Sequence, residues 1–275
     1  MNSSAVSIEE LMAFAEGTAR EAGRLLVEGR SLPKNVTVKN SPMDITTSVD
    51  LAVESLVTKR IAGAYPFDSI VAEEGSSVNG TTTRRWIVDP LDGTANYARG
   101  WPVCAVSIGV EVDGRFTVGA VYNPFLNEMY VAGEGIGAFL NGERLEKRTE
   151  DVEISEAFVG ITGGYDLIDR GERGGAARAL IAEAGDVRYT GSAALDYCHV
   201  ASGRLDAAFG NGYRLWDMAA GSVIATESGC LVVDLEGRSA PLPPEAILVA
   251  VPSVEPAVRA IVSAAVAESR RSMIY

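Results

Sequence analysis

The sequence predicts a mixed, layered α/β protein, and three observations carry that expectation. Apolar residues recur at helical spacing in long stretches at both ends of the chain. Between them lie short apolar runs bounded by Gly, Asp and Asn, the pattern of buried strands. No internal repeat or low-complexity tract interrupts the alternation, and 275 residues at 47% hydrophobic suffice for one large core or two that share a face.

Taken in order, a helix is expected over 8–28, where Leu11, Met12, Phe14, Ala15, Ala19, Ala22, Leu25 and Leu26 recur at helical spacing; Ser7 and Glu10 have the spacing of a capping box. A loop follows around Pro33. A second helix is expected over 50–62, closed by Tyr65-Pro66, then a short buried strand over 69–72. The stretch 75–83, rich in Gly, Ser and Thr, reads as surface loop. A strand over 86–88 is expected to end abruptly in Asp89-Pro90-Leu91-Asp92-Gly93-Thr94. Strands over 103–112 and 115–122 flank Asp113-Gly114, a strong hairpin signal, and strands over 129–132, 138–140 and 144–145 continue the series through the tight turn Asn141-Gly142. Gly133, Gly135 and Gly137 have the spacing of a nucleotide loop but lie between hairpin strands, so they read as turns. The charged stretch 143–156 is the expected boundary between an N-terminal α+β subdomain, 1–146, and a C-terminal α/β subdomain, 147–275. Beyond it helices are expected over 176–184, 192–202 and 218–228, strands over 207–209, 231–234 and 247–250, and a closing helix over 255–270.

Composition removes several function classes. A net charge of -13 argues against a general nucleic-acid binder, which needs a basic face to displace counterions. No apolar run is long enough to cross a bilayer and residues 1–10 lack a signal pattern, so the expected location is cytoplasmic, with no membrane partner. The cysteines Cys104, Cys198 and Cys230 are far apart, form no CxxC pair and read as buried structural thiols. His199 is the only histidine, which excludes HExxH and His-rich metal sites; it is expected to pack on an apolar helix face. There is no P-loop and no GxSxG elbow.

The chemistry concentrates in 86–94. A buried strand delivers Asp89 at its C-terminal end, where α/β folds place ligands. Pro90 and Gly93 impose a tight turn that brings Asp92 round beside it. Two carboxylates held so close repel each other unless a cation lies between them, and the N–H groups of Gly93-Thr94 offer an anion site where a helix can begin. A plain Asp-Pro-x-Asp-Gly surface turn is the competing reading. Two further acidic element-ends weigh against it: Glu73-Glu74 after the strand at 69–72, and Asp217 at the mouth of an apolar helix. Taken singly, Glu73-Glu74 reads equally as solvated charge and Asp217 as an N-cap.

The segments Trp86-Ile87-Val88-Asp89-Pro90-Leu91-Asp92-Gly93-Thr94-Ala95-Asn96-Tyr97 and Trp216-Asp217-Met218-Ala219-Ala220-Gly221 resemble the two signatures of the inositol monophosphatase family. The resemblance extends from Ser41-Pro42-Met43-Asp44 and Thr47–Asp50 through Glu73-Glu74 to Gly191-Ser192-Ala193-Ala194, nearly the whole chain. It implies the layered αβαβα sandwich that this family shares with fructose-1,6-bisphosphatases. It also implies Mg²⁺-dependent hydrolysis of inositol monophosphate by metal-activated water, without a phosphoenzyme. By the same resemblance Glu73, Asp89 and the carbonyl of Leu91 are expected ligands of a first Mg²⁺, and Asp89, Asp92 and Asp217 of a second. Glu73 holds a weaker third ion through water, with Lys39 nearby, so two to three ions are expected. Thr94 and Asp50 resemble the pair that orients and deprotonates the attacking water, with Glu73 also assigned to catalysis. Gly93, Thr94, Gly191, Ala193, Asp92 and Asp217 are the expected substrate contacts. The family further implies a homodimer and inhibition by Li⁺.

One position departs from the pattern. In inositol phosphatases an acid seven residues before the signature aspartate commonly contacts the ring; here that position is Gly210. The expected consequence is a lost hydroxyl partner and a wider pocket, with Tyr213 and Arg214 as alternative lining residues. Other esters therefore stand beside inositol monophosphate: fructose 1,6-bisphosphate, histidinol phosphate, a nucleotide 3′-phosphate or a specialised sugar phosphate. Some relatives partner nucleic-acid machinery, so a non-catalytic binding module is the remaining alternative.

Overall fold

The computed structural model describes residues 6–32, 35–239 and 246–272. Residues 1–5 and the expected loop at Pro33 lie outside them. The first helix, α1 (Ile8–Gly29), opens on the expected capping box: Ser7 Oγ accepts the Glu10 N–H at 3.2 Å, and Glu10 Oε2 accepts the Ser7 N–H at 2.9 Å. Two short strands, β1 (Thr37–Val38) and β2 (Ile45–Thr46), pair into a ribbon. The second helix, α2 (Ser48–Ala64), starts two residues earlier than expected, because Thr47 is its N-cap and the Asp50 carboxylate reaches back to the Thr47 N–H at 2.9 Å.

Strand β3 (Ser69–Ala72) stands as expected, and the presumed loop after it holds a short edge strand, β4 (Ser77–Val78). The strand expected to stop at Val88 runs on as β5 (Arg84–Asp92). Pro90 has no N–H for the ladder, so the register slips between Asp89 and Asp92 before Asp92 rejoins opposite Ala105. The two acids therefore sit on a bulge in the buried stretch of the strand rather than in a surface turn. Gly93, at φ 89, then turns the chain into α3 (Thr94–Arg99).

Strands β6 (Ala105–Val112) and β7 (Arg115–Asn123) form the predicted hairpin, with Asp113 and Gly114 both at positive φ. They are followed by β8 (Glu128–Gly133), β9 (Gly137–Leu140) and β10 (Glu143–Arg144). Among the described residues these strands make one sheet in the order β10-β9-β8-β7-β6-β5-β3-β4, antiparallel except for the β3/β5 pair.

A second sheet begins beyond the charged stretch. Its members are β11 (Phe158–Gly163), β12 (Asp186–Arg188), β13 (Ala207–Asn211), β14 (Leu231–Val233) and β15 (Ala246–Ala250), in the order β12-β11-β13-β15-β14. Strands β11 and β12 were not expected from the sequence: β11 is diluted by two glycines and β12 is a three-residue edge. Helix α4 (Leu167–Glu183) begins nine residues before the expected start, capped by Asp166. Helices α5 (Ala193–Ala201), α6 (Leu215–Glu227) and α7 (Glu255–Ser272) complete the chain.

The layers follow from which faces are apolar. Helices α1 and α2 cover one face of the first sheet, burying Leu26, Val53, Val57 and Ile61 against Trp86, Val106 and Ile108. Helices α5 and α6 fill the space between the sheets, and α4 and α7 close the outer face of the second. This is the expected αβαβα order. All three cysteines are buried and unpaired. His199 lies half-buried on α5, where burial and then Arg204 push its pKa down to about 4. Among the described residues no helix is long and apolar enough to cross a membrane.

Helix α6 approaches the first sheet closely because β6 and β7 present glycines to it. A Cβ on Gly109 would lie 2.8 Å from the Ala219 Cβ, and one on Gly119 would overlap the Ala220 carbonyl. Gly119→Ala should therefore push α6 off the sheet and cost about 1–3 kcal/mol, read as a lower urea midpoint. Gly17→Ala, on an exposed position of α1 where a Cβ meets nothing, should instead be neutral or stabilise by up to about 1 kcal/mol.

Candidate active site and metal centre

The bulge of β5 places Asp89 and Asp92 at the mouth between the sheets. Asp89 is 1% exposed, and its Oδ1 accepts the Leu91 N–H at 2.9 Å, which fixes the turn around Pro90. Glu73 arrives from the end of the neighbouring parallel strand β3. Asp217 arrives from the first turn of α6. With Leu91, Gly93 and Thr94 these four acids line one small cavity of about 80 Å³.

Their electrostatics are those of a site with more negative than positive charge. Burial, then repulsion from Glu73, Asp92 and Asp217, drives the pKa of Asp89 well above the carboxylate range. Burial likewise raises Glu73, despite the nearby Lys39, and raises Asp217 strongly. Asp92 is raised to about 6 by burial, even though it accepts from the Ser192 hydroxyl and from the N–H groups of Ala194 at 2.8 Å and Ala193 at 3.3 Å.

As the side chains stand, no three acid, histidine or cysteine groups among the described residues are arranged to hold a metal ion. Each carboxylate is turned to a donor of the chain. Glu73 faces the Lys39 ammonium at 3.0 Å, and Asp217 accepts the Arg214 N–H. Lys39 also reaches Glu74 at 2.6 Å; burial opposes its charge, but the two glutamates outweigh that and raise its pKa. In kind and position the set fits a hard divalent cation: oxygen donors only, and more negative charge than the cavity can hold unbalanced.

Beside the acids, Thr94 Oγ1 donates to Asp50 Oδ1 at 2.9 Å and lies 3.0 Å from the Leu91 carbonyl oxygen. Asp50 is fully buried and also accepts from the Thr47 hydroxyl and amide. Burial raises its pKa to about 6, with those hydrogen bonds pulling the other way. One carboxylate thus caps α2 and faces the cavity-lining threonine.

A larger cavity of about 530 Å³ adjoins the first, sharing Asp44, Glu73, Asp92, Tyr165 and Asp217 and extending past Gly191, Ala193 and Tyr213 to Asp169. Every predicted site residue lines one cavity or the other, except Asp50, which accepts a hydrogen bond from Thr94; Glu74 lines neither. Three expectations change. Asp217 is not an N-cap: α6 starts at Leu215, so it stands at the third helical position and its carboxylate takes the Arg214 amide. The Ala193 N–H, expected to face substrate, is directed at Asp92. The space left at Gly210 is not open, because a Cβ there would fall inside the Tyr213 ring. Residues without a strong sequence signal complete the site. Ser192 holds Asp92, and Asn96 donates to the Val103 carbonyl at 2.7 Å, within its own half, and to the Thr190 carbonyl at 2.8 Å, in the other. In the sequence Ser192 stands out only as the expected start of a helix and as part of the segment Gly191–Ala194.

The chain is similar to known proteins over nearly its whole length. The profile of the "Inositol monophosphatase family" matches residues 7–271. The chain is 35% identical over 244 residues to the Nus factor SuhB of Vibrio cholerae, covering 82% of this chain and 86% of that protein. It is 36% identical over 238 residues to the Nus factor SuhB of Escherichia coli K12, covering 82% and 86%. The fold matches that of the Thermotoga maritima IMPase with a TM-score of 0.86 at 32% identity, over 94% of this chain and 99% of that one. It matches Mycobacterium tuberculosis SuhB with a TM-score of 0.79 at 33% identity, over 95% and 98%.

Proposed function

The chain belongs to the inositol monophosphatase family, a family that is in general Mg²⁺-dependent and acts on small phosphate esters, and on that premise we propose that it is a phosphomonoesterase that releases phosphate from inositol monophosphate. The observation that carries the reading is the Thr94–Asp50 hydrogen bond set against a cavity lined by Glu73, Asp89, Asp92 and Asp217. Those four carboxylates and the Leu91 carbonyl would hold two to three Mg²⁺. Bound there, the ions supply charge to neutralise the ester phosphate and to acidify a water.

The chain's own residues do the rest. Thr94 Oγ1, its proton committed to Asp50, offers lone pairs that accept a hydrogen from a water and aim its oxygen at phosphorus. As the water oxygen bonds to phosphorus and gives up that proton, Thr94 passes its own to Asp50, whose pKa near 6 suits a base at neutral pH; the bond from phosphorus to the ester oxygen breaks, and the alcohol leaves with a proton taken from solvent water. The N–H groups of Gly93 and Thr94, at the start of α3, face the phosphate oxygens. Gly191 and Ala193 shape the wall against which the leaving group lies. The same reading includes inhibition by Li⁺, a homodimer, a cytoplasmic location and a division into subdomains 1–146, with most of the metal ligands, and 147–275, which closes the substrate site. Those four rest on family resemblance and on the sequence.

The names of the relatives favour a second reading, a Nus-factor role that needs the fold but no turnover. Phosphate release from inositol 1-phosphate, fructose 1,6-bisphosphate, histidinol phosphate and adenosine 3′,5′-bisphosphate, each with Mg²⁺ and with excess chelator, separates the two. Turnover of at least one ester that stops in chelator is the expected result. Full activity in chelator would sink the metal assignment, and no release from any ester under Mg²⁺ would leave the binding role.

A further inference from the structure

Helix α2 buries a second carboxylate one turn beyond Asp50. Glu54 follows it by four positions, so both project from the same side of the helix, and Glu54 is only 3% exposed. Its oxygens take backbone N–H groups from a distant part of the chain: Oε2 that of Glu74 at 2.7 Å and Oε1 that of Ser76 at 2.9 Å. A buried carboxylate is costly unless charge-assisted hydrogen bonds of this kind satisfy it. Both amides belong to the turn that presents Glu73. Between β3 and β4 the chain runs through Glu73, Glu74, Gly75 and Ser76, and the N–H group of each has a partner. Glu73 donates to the Val88 carbonyl at 3.1 Å and Gly75, at φ 109, to the Ala72 carbonyl at 3.4 Å. Glu74 and Ser76 donate to Glu54. Val88 is the residue before Asp89. The backbone that carries Glu73 is therefore pinned on one side to the strand that bears Asp89, and on the other to the helix that bears Asp50.

Resting on the metal assignment of the phosphatase reading, we propose that Glu54 is a positioning residue for the ion held by Glu73: it fixes the turn 73–76 so that Glu73 and Asp89 are set for one cation before it arrives. The placement carries this. The Glu73 side chain leaves the backbone between two clamps, the Val88 carbonyl and the Glu54 carboxylate. Lys39 also reaches Glu73 and Glu74, but at their side chains, so it does not fix the backbone. Helix α2 thereby aligns both parts of the chemistry, the ion ligand through Glu54 and the water-orienting Thr94 through Asp50. A looser turn would have to be ordered by the ion itself, and that cost appears as lost affinity. Turnover with the ion in place rests on Thr94 and Asp50, with which Glu54 shares no side-chain hydrogen bond among the described residues.

The test titrates Mg²⁺ by calorimetry into chelator-stripped wild type, Glu54→Gln and Asp68→Asn with no ester present, and then measures phosphate release at saturating Mg²⁺. Glutamine keeps the volume of Glu54 but sets an amide NH₂ against one of the two N–H groups, so one clamp is lost. Asp68 serves as the control. It lies just before β3, at the end away from Glu73, is 2% exposed, and accepts from Trp86 Nε1 at 2.9 Å and from Thr82 and Arg84. Glu54→Gln should weaken the tightest Mg²⁺ by about 10–100-fold while kcat at saturating Mg²⁺ stays within about threefold of wild type. Asp68→Asn should leave Mg²⁺ affinity as in wild type, whatever it costs in stability. Unchanged affinity in Glu54→Gln, an equal loss in Asp68→Asn, or a kcat that falls as far as the affinity overturns the proposal. Should Glu54→Gln fail to fold, Glu54→Asp, which keeps the charge but stands one methylene short, takes its place under the same criteria. A wild type that binds Mg²⁺ yet releases no phosphate from any ester defeats the phosphatase reading and leaves the affinities to decide this inference. A wild type that binds no Mg²⁺ defeats both.

Discussion

Asp89→Asn should lower phosphate release with Mg²⁺ by on the order of a thousandfold or more while leaving the metal-free protein as stable as wild type or more so. The two effects have one cause. Asp89 is buried among Glu73, Asp92 and Asp217, so its charge is unfavourable until cations balance it. Removing that charge relieves the folded state, and the amide keeps both the volume and the oxygen that accepts the Leu91 N–H. In excess chelator the melting temperature should match wild type or rise by about 2 °C or more. Adding Mg²⁺ should raise the melting temperature of wild type and do little for the variant, because an ion that binds only the folded chain stabilises it by mass action. A variant that keeps wild-type turnover would remove Asp89 from the metal centre. The same protein serves the second reading: a partner interaction independent of turnover should survive the substitution.

Thr94→Val should separate water activation from metal binding. Valine keeps the shape of threonine and removes the hydroxyl that joins the cavity to Asp50. The expected loss in kcat is about 10²–10⁴-fold, the usual contribution of a positioned proton acceptor. KM should change little, since the backbone N–H groups at 93 and 94 remain, and the Mg²⁺-induced rise in melting temperature should persist. Loss of one hydrogen bond to the buried Asp50 should cost about 1–2 kcal/mol, partly offset because Asp50 retains Thr47. If the Mg²⁺ response disappears together with activity, Thr94 belongs to the ion site and another group must orient the water.

Much of the fold was legible because its signals are local. Capping at Ser7-Glu10, the turns at Asp113-Gly114 and Asn141-Gly142, and the helical spacing of α1 depend on residues within one or two turns of each other. The misses were elements whose local signal is weak. Strand β11 contains two glycines, and the start of α4 carries exposed Leu167 and Ile168 ahead of the Gly174-Gly175 pair, which hides its amphipathic face. Strand β5 was cut short at Val88 because a proline normally ends a ladder, and only pairing with β6 shows that the strand resumes after it.

At the site the division is sharper. The sequence alone determined the donor types and their order: acids at three element-ends, a proline and a glycine that force the turn between two of them, and a threonine where a helix begins. These are properties of neighbouring residues. Tertiary structure decided how each acid is satisfied and what fills the pocket. Asp92 is held by Ser192, a hundred positions away, and Thr94 meets Asp50 across 44. Glu73 meets Lys39 across 34. The position of Gly210, which in sequence reads as an opening, is closed by the ring of Tyr213. Burial and repulsion depend on which surfaces are packed together, and packing joins segments that the chain keeps far apart. The raised carboxylate pKa values and the shape of the leaving-group pocket therefore exist only once both sheets and the helices between them have assembled.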